Sequence, residues 1–112
     1  MKILITGGAG YIGSILATEL VNLGHQVTII DLMRFNRNSL DHLFFHKNFK
    51  LINGDARDEK LIKKSIRGQN FVIPLAALVG APLCDKYPKE TIQTNYESIN
   101  LILKHRKKNT KI

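Results

Sequence analysis

Thr6-Gly7-Gly8-Ala9-Gly10-Tyr11-Ile12-Gly13 is the stretch on which the fold turns. Before it, Lys2-Ile3-Leu4-Ile5-Thr6 is a short apolar run, as expected of a parallel strand buried on both faces. After it, Ile12, Ile15, Leu16, Leu20 and Leu23 recur at spacings of three and four. That period predicts an amphipathic helix with those side chains as its buried stripe, stopped by Gly24. Gly8, Gly10 and Gly13 then have the spacing of a dinucleotide-binding turn, in which glycines let the backbone turn tightly, approach a diphosphate and pack helix on strand. The start of the helix adds free amides and a partial positive charge. Gly7, Gly10, Tyr11, Ile12 and Gly13 are therefore candidate cofactor-binding residues. A purely structural glycine turn is the competing reading, and the agreement of strand, loop and helix argues against it.

Working outward, Val27, Ile29 and Ile30 form a second strand ending at Asp31. An acid about 20 residues past the glycines can accept hydrogen bonds from the adenosine ribose hydroxyls. A 2′-phosphate would meet that carboxylate as a like charge, so NAD is expected rather than NADP; Arg34 and Arg37 nearby weigh against this, and a plain strand-end turn is the other reading of Asp31. A loop and a short helix are expected over 32–48. A third strand follows over 50–53, closed by Gly54-Asp55, then a helix over 58–67 with Leu61, Ile62 and Ile66 inward and Gly68 at its end. The fourth strand is expected over 71–77. The last helix is expected over 88–107, with Pro88 in its first turn and Ile92, Ile99, Ile102 and Leu103 as its stripe. Thr110-Lys111-Ile112 reads as the start of a fifth strand.

Strands that alternate with helices predict an α/β fold, a Rossmann-like doubly wound parallel sheet, here truncated as its fifth strand begins. Residues 1–112 are expected to form one incomplete NAD(P)-binding domain. With the fifth strand barely started, the fourth would keep an open edge through which the chain could self-associate.

Hydrophobic residues at 44% and charged residues at 23% exclude a disordered chain. No apolar run reaches the roughly 20 residues of a membrane span, and the start turns glycine-rich too early for a signal peptide, so a cytoplasmic protein is expected. Cys84 is the sole cysteine, which rules out an internal disulfide and a cysteine-based metal site; it reads as a packed side chain rather than a nucleophile. The net charge of +8 is densest at Lys104-His105-Arg106-Lys107-Lys108 and Lys111. A nucleic-acid patch would use such charges on phosphates, but no aromatics interleave with them, and a solvated helix end is preferred.

Together these residues resemble the extended short-chain dehydrogenase/reductase family, whose Thr-Gly-x-x-Gly-x-x-Gly loop is matched by Thr6, Gly7, Gly10 and Gly13. The form GGAGYIG looks most like NAD-dependent sugar-nucleotide epimerases and dehydratases. The resemblance implies that Asp55, followed by Ala56, binds the adenine amino group, and that Leu75, Ala76 and Ala77 pass beneath the ribose and nicotinamide. Asn95, on the apolar side of the last helix, is implied to organise the site near the cofactor, and Gly80-Ala81-Pro82-Leu83-Cys84-Asp85 to form a substrate-side loop.

Two departures stand out. Pro74 occupies a position where many relatives carry His, and proline removes a ladder donor, so a local bend is expected in the fourth strand. The family's catalytic Tyr and Lys lie four residues apart, whereas Tyr11, Tyr87 and Tyr96 are followed at that spacing by Ile15, Thr91 and Asn100. The expectation is thus an NAD-binding N-terminal portion, without catalytic residues of its own, of an epimerase/dehydratase acting on a sugar nucleotide. The alternatives are a non-catalytic NAD(H)-binding module that works with a partner chain and, more remotely, a nucleic-acid-associated protein.

Overall fold

A computed structural model describes residues 1–35 and 38–112. β1 (Lys2–Thr6) lies inside a parallel four-stranded sheet of order β3-β2-β1-β4, with β2 at Gln26–Asp31, β3 at Phe49–Asn53 and β4 at Phe71–Pro74. This is the predicted Rossmann-like α/β sheet. Its register sorts the side chains by face: Ile3 and Ile5 lie level with Val27 and Ile29, while Leu4 lies level with Val72. The first set packs with helix α1 (Tyr11–Asn22) and with Leu40 and Leu43, around a single 3-10 turn at Asp41–Leu43. The second packs with Ile62 and Ile66 of the α2 segment (Glu59–Ser65 and the turn after it) and with Ile102 of α5 (Ser98–His105). Two clusters on opposite faces explain why β1 is apolar at successive positions, and each such Leu or Ile buried contributes roughly 1.5–3 kcal/mol.

The buried side of α1 is not the predicted stripe. Gly13, Ala17 and Val21 are buried, with Leu16 and Leu20 packed partly against the core, whereas Ile12, Ile15 and Leu23 are exposed. The helix runs so close to the loop before it that a Cβ on Gly13 would stand 2.7 Å from Gly7 O. Only small residues fit there, and counting large apolar side chains set the phase wrongly. Leu61, Ile62 and Ile66 do face inward, and Asp58 caps α2 by accepting the Leu61 N–H at 3.2 Å.

β4 ends at Pro74 rather than at residue 77. The Leu75 N–H makes a last ladder bond to Thr6 O at 2.8 Å, but β1 then turns away at Gly7 and leaves residues 76 and 77 no strand to pair with. Because Leu75 bonds toward β1 and Val72 bonds outward to Lys111 O, the imide nitrogen of Pro74 also points outward, so the proline removes no bond to β1. Lys111 forms an isolated parallel bridge to Phe71, the expected place for a fifth strand.

The predicted last helix is present in three pieces: α4 (Pro88–Ile92), a π turn (Gln93–Glu97) and α5. The wider π turn rotates the residues before it relative to those after it. Ile92, before that turn, is therefore exposed while Ile102 is fully buried, and Leu103, one position round α5 from Ile102, is exposed too, contrary to the predicted stripe. Residues Ala81–Lys86 form a short helix, α3, where a loop was expected. Among the described residues, no helix is long and apolar enough to cross a membrane.

Several charges of the basic C-terminal run make intramolecular contacts. Lys104 Nζ and His105 Nε2 meet Glu59 Oε1 at 2.8 and 2.7 Å, and Arg106 donates to Thr110 O. The hydrogen bond from Lys104, followed by that from His105, lowers the Glu59 pKa to about 2. A carboxylate whose pKa is depressed in the folded state contributes stability that is complete above its ordinary pKa of 4.5 and is lost as the pH falls through about 2. Glu59 is exposed, so the effect is small and salt-sensitive. The difference in unfolding midpoint between the wild type and Glu59→Gln should shrink steadily from pH 5 to pH 2, and thermal melts across that range at low salt measure it.

Candidate functional site

A groove opens along the carboxyl ends of the strands, at the point where the strand order reverses between β1 and β4. In open α/β sheets this is where ligands bind. Gly7 and Gly10 line it on one side, Asp31 follows, Asp55 and Ala56 lie along it, and Leu75, Ala76 and Ala77 form another wall. Eight of the predicted residues thus meet in one groove.

The glycines divide by what surrounds them. Gly7 has φ +74°, and a Cβ there would lie 2.5 Å from Ala76 N; one on Gly8 would strike the Ile29 side chain, and one on Gly13 the Gly7 carbonyl. Those three are required by packing. Gly10 has an ordinary φ of −70°, is exposed, and its Cβ would meet only Gly7 O, at 3.4 Å. No contact among the described residues demands a glycine there. Gly10 is also the N-cap of α1, whose first internal bond runs from Ser14 N–H to Gly10 O, so the amides of Tyr11, Ile12 and Gly13 precede the helical ladder. No acidic residue occupies that first turn to offset the dipole. Tyr11, Ile12 and Gly13 do not line the groove itself, and the exposed Tyr11 and Ile12 side chains leave only main-chain amides as their contribution.

Asp31 is held in place by two amides: Ala9 N–H donates to Oδ2 at 2.9 Å and Met33 N–H to Oδ1 at 2.7 Å. Each oxygen keeps a lone pair for a further donor. The strand-end carboxylate is thereby fastened to the glycine loop, and Ser39 fastens the same loop by donating to Ala9 O at 2.7 Å.

Asp55 is engaged differently. Arg57 donates to it from the backbone N–H at 2.8 Å, from Nε at 3.0 Å to both oxygens, and from Nη2 at 2.6 Å. The Arg57 side-chain hydrogen bond outweighs partial burial and holds the Asp55 carboxyl below its ordinary pKa. An adenine amino group at Asp55 would have to compete with Arg57.

Asn95 does not line the groove. Its Oδ1 accepts the Leu78 N–H and its Nδ2 donates to Leu78 O, both at 2.7 Å, and the π turn carries it there. Pairing both backbone groups of one residue pins the segment after β4, so Asn95 is a positioning residue. Asn95→Ala should cost about 2–3 kcal/mol, from two lost bonds, with the Leu78 N–H left unpaired and the Leu78 carbonyl left only the weak Cys84 Sγ donor at 3.4 Å. Urea unfolding measures the cost, and faster exchange of the Leu78 amide should accompany it.

Sequence reasoning missed Glu90 and Thr94, which line the groove, and Arg57 and Gln93 beside it. Arg34 Nη1 donates to Glu90 Oε1 at 2.7 Å, and Arg57 Nη1 donates to Gln93 Oε1 at 3.0 Å. An acid just after Pro88 reads as an ordinary first-turn residue, so no local signal marks Glu90. Arg37, weighed with Arg34 as a neighbour of Asp31, lies outside the described residues.

Comparison with known proteins agrees with this geometry. Residues 3–111 match the model of the NAD dependent epimerase/dehydratase family. A UDP-N-acetyl-alpha-D-glucosaminuronate decarboxylase of Bacillus cytotoxicus is 36% identical over 102 residues, covering 91% of this chain and 32% of the relative. A UDP-glucose 4-epimerase of Haemophilus influenzae is 34% identical, over 96% of this chain and 33% of its own length. Among solved structures, DesIV, a dTDP-glucose 4,6-dehydratase from Streptomyces venezuelae with NAD and TYD bound, superposes with a TM-score of 0.85 at 25% identity, covering 93% of this chain and 35% of that one. The chain thus spans about a third of the length of the relatives it matches, at their N-terminal end. On the match over nearly its whole length, this chain belongs to the NAD dependent epimerase/dehydratase family.

Proposed function

We propose that this chain is the NAD-binding N-terminal portion of an enzyme that acts on a nucleotide-activated sugar. The observation that carries the reading is Gly10: a glycine with ordinary dihedrals and, among the described residues, room for a Cβ, which lines the groove as the N-cap just before the unpaired first amides of α1. A diphosphate lying against those amides accounts for the missing side chain. Asp31 then takes the adenosine ribose hydroxyls, Asp55 and Ala56 face the adenine, and Leu75 to Ala77 pass beneath the rest of the cofactor. When bound, a nicotinamide accepts and returns a hydride.

The relatives named above, a decarboxylase, an epimerase and a dehydratase, carry nucleotide sugars in their names, which supports that substrate class. No tyrosine here is followed four residues on by lysine, so these 112 residues bind and orient the cofactor without supplying the proton transfer. Calorimetric titration of the 112-residue chain with NAD should give saturable binding, with no turnover of UDP-glucose. Absence of heat at millimolar NAD would remove the reading.

A further inference from the structure

We propose that Glu90 sets the preference of the groove against a 2′-phosphorylated dinucleotide by engaging Arg34, the arginine placed to receive that phosphate. The inference rests on the reading that the groove takes a dinucleotide. Asp31, Arg34 and Glu90 line the same groove, with Arg34 just past the carboxylate expected to hold the adenosine ribose. An arginine beside that ribose is the side chain that accommodates a 2′-phosphate, since its forked donors match the phosphate oxygens. Here one arm of the fork is already engaged, for Arg34 Nη1 donates to Glu90 Oε1 at 2.7 Å. Glu90 is the less exposed of the two side chains, at 19% against 42%, so the acid is the anchored partner and the arginine is drawn to it.

The neighbouring charges reinforce the effect. Arg57 has Nη2 4.0 Å from the same Glu90 oxygen but is bound to Asp55 at 2.6 Å, which leaves it no free charge to offer. Among the described charges around the groove, Asp31, Asp55 and Glu90 outnumber Arg34 and Arg57. A phosphate carrying nearly two negative charges would enter a field of its own sign, and to take both arms of the Arg34 fork it would have to displace Glu90. The 2′-hydroxyl of NAD meets neither cost. Removing the Glu90 charge lifts both costs, because the balance among the described charges becomes neutral and Arg34 is released next to the ribose position.

The test is a parallel measurement of NAD and NADP dissociation constants at low salt, for the wild type, Glu90→Gln and Glu90→Ala, with thermal melts to verify folding. The isosteric Gln keeps the shape of the α4 turn, so a folding defect in the Ala variant does not leave the question open. The affinity for NADP relative to NAD should rise about tenfold or more in the Glu90 variants, the size expected of one charge-assisted contact to phosphate. Adding Arg34→Ala should erase the gain. Variants that bind NAD normally with an unchanged ratio overturn the proposal and leave the dinucleotide reading intact, and so does a gain that survives Arg34→Ala. Failure of the wild type to bind NAD removes the reading itself, and the proposal with it.

Discussion

Gly10→Val should weaken NAD binding at least a hundredfold while lowering the melting temperature by less than about 8 °C. The two effects separate because of where the missing Cβ would point. Among the described residues it would contact nothing except Gly7 O at 3.4 Å, and φ of −70° suits any residue, so the fold has little to lose. Valine is a poorer N-cap than glycine, a cost of about 1 kcal/mol, which is roughly 4–8 °C in a chain of this size. The branched side chain would stand over the amides of the first turn of α1 and hold a diphosphate away from them. Losing two charge-assisted bonds, at about 1.5–3 kcal/mol each, accounts for a hundredfold or more. Calorimetry and a thermal melt on the same sample decide it; undiminished affinity in Gly10→Val would detach cofactor binding from the glycine turn.

Gly7→Ala should do the reverse and damage the fold itself, lowering the melting temperature by more than about 15 °C or preventing soluble expression. At φ +74° an alanine carries the left-handed penalty of about 1–2 kcal/mol. Its Cβ would also lie 2.5 Å from Ala76 N and 2.6 Å from Ala76 Cα and from Leu75 C. All three atoms are backbone, so no side chain can swing aside, and forced packing of this kind costs a further 1–3 kcal/mol or about that. The sum is a large share of the roughly 5–15 kcal/mol that holds a domain folded. Gly24→Ala separates the two contributions: φ there is +86°, but nothing among the described residues lies within 4 Å of the added Cβ. It should lose only the conformational part, about 1–2 kcal/mol. Equal losses at both glycines would refute the close approach of the turn to the segment after β4.

These contrasts show which parts of the molecule a linear reading reaches. The dinucleotide spacing and Asp31 were legible because strand, turn and helix N-terminus are local and each leaves its own mark. β1 was legible because a strand buried on both faces is apolar at successive positions, as in Ile3-Leu4-Ile5, whereas the edge strand β3, with no buried residue, was marked by Leu51-Ile52 and the Gly54 that closes it. Less was visible where small residues do the packing. Ile12, Ile15 and Leu23 looked like the inner stripe of α1, but Gly13, Ala17 and Val21 occupy it, since hydrophobicity does not say how near the backbone must come.

The sequence by itself determined the order of the strands and of the helices that pack on them, the glycine turn and the acid at the end of β2, because hydrophobic period and turn chemistry act between residues close along the chain. Tertiary structure alone decided that β4 stops at Pro74, that a π turn swings Asn95 onto Leu78, and that Glu90 meets Arg34 from 56 residues away. Those outcomes depend on where β1 turns aside and on which helix is pressed against which loop. Such contacts join residues far apart in the chain, and no local pattern records them.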